Sequence, residues 1–185
     1  EVEEFNRQTA LAAPQLTGDA LVTGCTLAKM VLDANLRTTP FDVVIVDFPD
    51  PNNFALGKLY TVRFYRLLRE RVAEGGVVSV QSTSPLVARR SFWCVVRSIE
   101  AAGFVARPYH ALVPSFGEWG FVLAAREALP LPSHVPPNLR YLTDETVASL
   151  FDLAPDMTSV PVEVNRLNNQ MLVRYYEEEW SRWAR

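Results

Sequence analysis

Residues 42–47 read Asp-Val-Val-Ile-Val-Asp, and no other stretch restricts the fold as strongly. Four consecutive β-branched side chains favour a strand over a helix. Their lack of alternation argues for a strand inside a parallel sheet, covered on both faces. Residues 77–81 (Val-Val-Ser-Val-Gln) repeat the pattern. Between the two runs lie a Pro-, Asn- and Asp-rich loop and an amphipathic stretch at 59–73, which predicts a helix ending before Gly75-Gly76. Residues 87–102 predict a second helix with Phe92, Val95, Val96 and Ile99 inward, and strands follow at about 104–112 and 120–125. The last two strands are joined by about seven residues, too few for a parallel crossover, so the final strand should run antiparallel. The expected class is α/β: a partial doubly wound sheet, mostly parallel with a final antiparallel strand, and helices on both faces. An additional helix is expected at 20–36, with Leu21, Leu27, Met30, Val31 and Ala34 on one face and Asp19 near its start. Residues 128–137 form a Pro-rich linker, followed by a short helix near 143–151 and a last helix at about 166–183. The expected division is therefore an α/β domain over 1–127 and a linker with a C-terminal helical extension, packed on it, over 128–185.

Bulk properties exclude several functions. Net charge is −3, so no broad basic surface argues for nucleic acid. Cys25 and Cys94 lack metal or redox spacing and read as buried reduced thiols, which fits a reducing, cytoplasmic setting. His110 and His134 are far apart, so no metal site is expected. Ser82, Ser84, Ser91 and Ser115 lack a G-x-S-x-G elbow, so a hydrolase triad is not supported. No apolar run reaches the ~18 residues of a membrane helix and no signal peptide is visible, so no membrane contact is expected. Gly75-Gly76 precedes a strand, which makes it a turn and not a phosphate-binding loop. Arg89-Arg90 and Glu177-Glu178-Glu179 read as solvated faces.

In an open α/β sheet, ligands bind beyond the carboxyl ends of the parallel strands. Asp47 ends the first strand, Asp50 follows in a loop stiffened by proline, and Gln81 ends the next strand. All three should line one crevice. Two carboxylates three residues apart suit an amine. The same residues also suit a plain turn in which Asp47 caps and Asp50 is solvated.

The segments FDVVIVDFPDP, LYTVRFYRLLRERVAEGGVVSVQ and PYHALVPSFGEWGFVLA together resemble the spermidine synthase (polyamine aminopropyltransferase) family over residues 41–125. The tail VPVEVNRLNNQMLVRYYEEEW is similar to the C-terminus of long bacterial members, which often carry an N-terminal membrane region. The resemblance implies the C-terminal half of a methyltransferase-like (Rossmann-type) catalytic domain. It implies that Asp47 is the catalytic acid assisting amine deprotonation and that Asp50 binds the polyamine. Gln81, Tyr109, Phe116, Glu118 and Trp119 are implied as further substrate-lining residues. Phe116 stands where many members have a tyrosine, which removes a hydroxyl. Asp19 and Ala20 match the pair that contacts the adenine of the nucleotide donor. No permanently bound cofactor is implied. Decarboxylated S-adenosylmethionine is the co-substrate, a polyamine the partner, and a homo-oligomer the expected assembly. In a longer protein the domain would be tethered at the inner membrane.

The family's Gly-rich nucleotide loop and its ribose-binding acid have no counterpart here, which leaves catalysis by this chain open. The first strand matches the fourth strand of the family's sheet, so Val43–Val46 is expected to be covered by another segment or copy. Two alternatives to aminopropyl transfer stand beside it: an S-adenosylmethionine-dependent methyltransferase-like enzyme, and a non-catalytic interaction module without the nucleotide half.

Overall fold

The computed structural model describes residues 40–183. The helix expected at 20–36, Asp19, Ala20 and Cys25 lie outside the described residues. The chain forms β1 (Phe41–Val46), α1 (Phe54–Gly57), a 3-10 turn (Lys58–Tyr60), α2 (Val62–Arg69), β2 (Val72–Gln81), α3 (Arg89–Ala101), β3 (Val105–Val113), β4 (Gly117–Ala125), α4 (Asp144–Val147), a 3-10 turn (Ala148–Phe151) and α5 (Met171–Trp183).

The four strands make one sheet in the order β1-β2-β4-β3. β1 and β2 are parallel, while β4 runs antiparallel to both of its neighbours, β2 and β3. Three strands therefore share a direction and the last opposes them, as the short final connection requires. One sheet face carries Val44, Val46, Val78, Val80, Val122 and Ala124, all nearly inaccessible. It joins Phe64, Tyr65 and Leu68 of α2 and Phe92, Val95, Val96 and Ile99 of α3 in a single core. Each such side chain contributes roughly 1.5–3 kcal/mol on full burial. Cys94 sits in this core as a free thiol, pushed up to about 12 by burial, and is inert.

β1 departs from the expectation of burial on both faces. Val43 and Ile45 are 42% and 44% exposed, and the described residues give the strand a partner on one side only. The expected cover for this strand is not found among the described residues.

The helix expected over 59–73 is shorter, and Gly75-Gly76 is not a turn. Thr61 caps α2 by accepting from Phe64 N, and the chain is extended again from Val72. Phe41 claims that backbone by pairing with Val72 and donating its N–H to Arg71 O. The register then slips between Phe41 and Val43. A Cβ on Gly76 would lie 2.7 Å from Phe41 O, so only glycine lets the two strands approach there.

The charge runs are only partly solvated: Glu177 and Glu178 are exposed, but Glu179 is buried and both arginines are engaged. Ala88 precedes α3 and has no capping side chain. The cap arrives from α5: Glu179 accepts from Arg90 N at 2.7 Å, Ser91 N at 3.0 Å and Ser91 Oγ at 2.7 Å, and it is buried. A carboxylate on orphan N–H groups at a helix N-terminus is favourable twice over, by hydrogen bonding and by the helix dipole. Arg90 pairs with Glu178 and lies 4.0 Å over the Tyr175 ring. Arg89 donates to the carbonyls of Pro155 and Thr158. Asn165, fully buried, joins the same network by donating to Gly57 O and accepting from Leu172 N. Residues 166–170 form turns and not the first turn of the last helix. Burial of Leu172, Val173 and Tyr175 holds α5 on the domain, and the Glu179 contacts set its orientation.

Replacing Glu179 with alanine should lower unfolding free energy by about 1–3 kcal/mol, because buried N–H groups at the α3 terminus lose their acceptor. Urea denaturation of Glu179→Ala and Glu179→Gln measures this. Glutamine, which retains an acceptor oxygen, should cost less than alanine.

Candidate active site

The exposed face of the sheet and its carboxyl edge form a cleft of about 980 Å³. Strand alternation supplies its floor. Ser79 and Gln81, Trp119 and Phe121, and Tyr109 and Val113 are spaced two or four residues apart on their strands, and Asp47, one residue past β1, continues the alternation from Ile45. Gln81 pairs with Phe121, and Phe121 with Tyr109, so these three stand in one row. Tyr109 stacks on Phe121 at 5.2 Å, and its hydroxyl meets Ser79 Oγ at 2.9 Å. Phe116 is largely exposed at the rim, its ring 5.3 Å from that of Trp119.

The acidic loop leaves β1 at the same end. Phe48 is buried, packing edge-on against Tyr60 and Phe64. The Tyr60 hydroxyl donates to Phe48 O at 3.1 Å and Pro49 O at 3.0 Å, which fixes the backbone between the two acids. Burial first, then the charges of Asp50 and Asp47, holds the Tyr60 hydroxyl protonated well above the usual tyrosine range. Asp47 is exposed in the cleft, and its carboxylate has no hydrogen-bond partner among the described residues.

Asp50 differs. It is part-buried and accepts from Tyr176 Oη at 2.9 Å. The Gln81 amide is satisfied when its nitrogen donates to Phe48 O at 3.0 Å and its oxygen accepts from Trp119 Nε1 at 2.8 Å. That orientation turns the amide oxygen toward Asp50 Oδ1, 3.4 Å away. The reverse orientation would offer Asp50 a long, weak donor while setting nitrogen against an indole N–H and oxygen against a carbonyl. We adopt the first because it satisfies both groups. Burial raises the Asp50 carboxyl above the ordinary aspartate value, against the opposing hydrogen bond from Tyr176.

The cleft thus gathers Asp47, Asp50, Gln81, Tyr109, Phe116 and Trp119. Glu118 lies outside the lining: it meets His110 Nδ1 at 2.6 Å, while His110 Nε2 meets Asp152 O. Sequence reasoning missed Tyr176 and Trp180, which reach the cleft from α5. The aromatic character of α5 was visible, but nothing local signalled that one hydroxyl would meet an acid 126 positions earlier. Among the described residues there is no cluster of three or more His, Cys, Asp or Glu able to hold a metal, and no helix long and apolar enough to cross a membrane.

The family model for the spermine/spermidine synthase domain matches residues 15–132. The chain belongs to this family. Polyamine aminopropyltransferase 2 of Ralstonia nicotianae is 56% identical to this spermine/spermidine synthase domain chain over 142 residues, covering 76% of it and 28% of the relative. The polyamine aminopropyltransferase of Leptospira interrogans is 52% identical over 142 residues, covering 77% and 28%. The chain therefore spans a little over a quarter of the length of these relatives. The fold is similar to that in a crystal structure of spermidine synthase from Thermotoga maritima, with a TM-score of 0.61 and 24% identity over 82% of this chain and 52% of that one.

Because Asp50 ionises less readily in the folded synthase domain than in an unfolded chain, its charge costs stability. The cost is fully present above its raised folded value and disappears as pH falls below the unfolded value. Asp50→Asn should therefore raise Tm at neutral pH, and the advantage should shrink as pH falls through that window. Thermal unfolding across a pH series measures both the sign and the trend.

Proposed function

We propose that this domain transfers an aminopropyl group from decarboxylated S-adenosylmethionine to putrescine or a related amine, in polyamine biosynthesis. The observation that carries the amine end is the pair of acceptors formed by Asp50 Oδ1 and Gln81 Oε1, 3.4 Å apart in a cleft with aromatic walls. Two oxygens that close repel one another, and an ammonium between them satisfies both. Trp119, Phe116 and Tyr109 supply apolar walls for a methylene chain. A neutral or bulky acceptor has no use for the oxygen pair, which favours aminopropyl transfer over methyl transfer. The names of the close relatives support the same reading.

The chemistry assigns the acids different work. A primary alkylammonium, with a pKa near ~10, is almost wholly protonated at neutral pH and must lose a proton to attack. Asp47, exposed and without a hydrogen-bond partner among the described residues, is suited to accept it. The amine nitrogen bonds to the propyl carbon attached to the donor's sulfur as that carbon–sulfur bond breaks. The sulfonium keeps that electron pair and leaves as a neutral thioether, so no acid is needed on the leaving side. Asp50 holds a cationic nitrogen and so fixes distance and angle. Asp19 and Ala20 are the proposed adenine contacts.

The full-length gene product, assayed with decarboxylated S-adenosylmethionine and putrescine, tests this assignment. Asp47→Asn should lower kcat by about 10²-fold or more while leaving donor binding intact by calorimetry. Asp50→Ala should act chiefly on amine KM. Full turnover by Asp47→Asn would reject its role.

A further inference from the structure

We infer that Tyr176, carried by the C-terminal helix α5, is a positioning residue for the amine: its hydroxyl holds Asp50 in the orientation that presents the free oxygen to the cleft. This rests on the aminopropyl-transfer reading and adds to it a contribution from outside the segments that carry the acids.

The geometry makes the contact specific. With the Gln81 amide committed to Phe48 and Trp119, Tyr176 is the one side chain among the described residues that donates to the Asp50 carboxylate. It donates to Oδ2, which leaves Oδ1 directed at Gln81 Oε1. Without that donor, the carboxylate could rotate away from its acceptor neighbour or take up a proton between the two oxygens. Either change removes the ammonium site. Tyr176 therefore acts through Asp50 and need not touch the reacting atoms.

Its placement is rigid. Three residues further along α5, Glu179 is locked onto the N-terminus of α3 by three hydrogen bonds. One residue earlier, Tyr175 lies under Arg90 and accepts from Glu163 N. Residues three apart share a helix flank, so the anchored carboxylate and the Asp50-binding hydroxyl are set by the same docking. Trp180 packs beside Tyr176, ring centroids 5.7 Å apart, and itself lines the cleft. The two rings cover the approach to Asp50 from the α5 side and contribute to its burial. The same hydrogen bond offsets part of the ionisation cost that burial imposes.

Among the described residues the groups that bear on Asp50 are few: Tyr176 from α5, Tyr60 from the 3-10 turn and Gln81 from β2, while its own loop also carries the acid Asp47. None is a cation, so the Tyr176 hydroxyl is the main counterweight to desolvation.

The test is Tyr176→Phe in the full-length gene product. Loss of one hydrogen bond to a carboxylate should raise amine KM at neutral pH about tenfold, with donor KM unchanged and kcat at saturating amine changed little. The acid limb of kcat/KM for the amine should move to higher pH, because Asp50 then ionises later. The KM defect should accordingly shrink as pH is raised. A carbon-13 carboxyl titration, with the Asp50 signal assigned through Asp50→Asn, should show the same upward movement without any assay of turnover. If Tyr176→Phe leaves both amine KM and the Asp50 titration unchanged, Tyr176 has no positioning role. A lowered Tm with an unmoved acid limb also overturns the inference, since a purely structural contact behaves that way. If the parent protein shows no amine-dependent turnover yet the Asp50 signal moves in Tyr176→Phe, the contact stands and the aminopropyl-transfer reading falls.

Discussion

Parallel pairing of β1 with β2 is the constraint on which the rest of the molecule depends. It brings the carboxyl ends of both strands to one edge, so that Asp47 and Gln81 leave the sheet together. It also fixes parity. Val46 lies opposite Val80, and a slip by one residue would turn the valines of the core into the cleft and Gln81 into the core. The buried valines Val44, Val46, Val78 and Val80, each worth roughly 1.5–3 kcal/mol, make such a slip prohibitive. The register of the polar residues is thus enforced by apolar ones that never touch a ligand. Gly76 protects the arrangement at the other end, where a side chain would separate the strands.

A second dependence runs through α5. Its apolar stripe docks it on the domain, but apolar burial has no direction of its own. Direction comes from Glu179 on the α3 terminus, from Asn165 between Gly57 and Leu172, and from the close approach at Gly57, where a Cβ would meet Val173 at 2.5 Å. The consequence is that a cleft built on strands near the start of the described region is completed by a helix at its end.

The sheet was legible in the sequence because its signals are local and redundant. Runs of β-branched residues marked β1 and β2, and a short connection forced β4 to oppose them. The convergence of Asp47, Asp50 and Gln81 followed from topology alone. The ends of elements were less legible. The helical pattern runs to residue 73, yet the pairing of Phe41 with Val72 extends the chain from Val72 onward, a tertiary contact that no local propensity encodes. Glu179 and Arg90 read as solvated because charge runs usually are, and only the docking of α5 makes them partners. Glu118 was adjacent in sequence to the cleft-lining Trp119, but strand alternation separates neighbours, and it pairs with His110 instead. Tyr176 was hidden for a plainer reason: its partner is 126 positions away.

The two acids illustrate how one short loop can hold carboxylates in different surroundings. Asp47 and Asp50 are separated by two residues, and a pair of like charges in one dry pocket would suppress each other's ionisation. The fold avoids that outcome by unequal environments. Phe48, buried between them and flanked by Tyr60, pulls the intervening backbone into the core. Asp47 is left exposed while Asp50 is drawn beneath Tyr176 and Trp180. Burial makes Asp50 less willing to carry charge, which also makes a bound ammonium more strongly held once the charge is present, since the local dielectric is low. An acid that binds a cation by attraction and an acid that must take and release a proton have opposite requirements. On the proposed assignment, the apolar Phe48 between them, more than either carboxylate, would allow the loop to meet both.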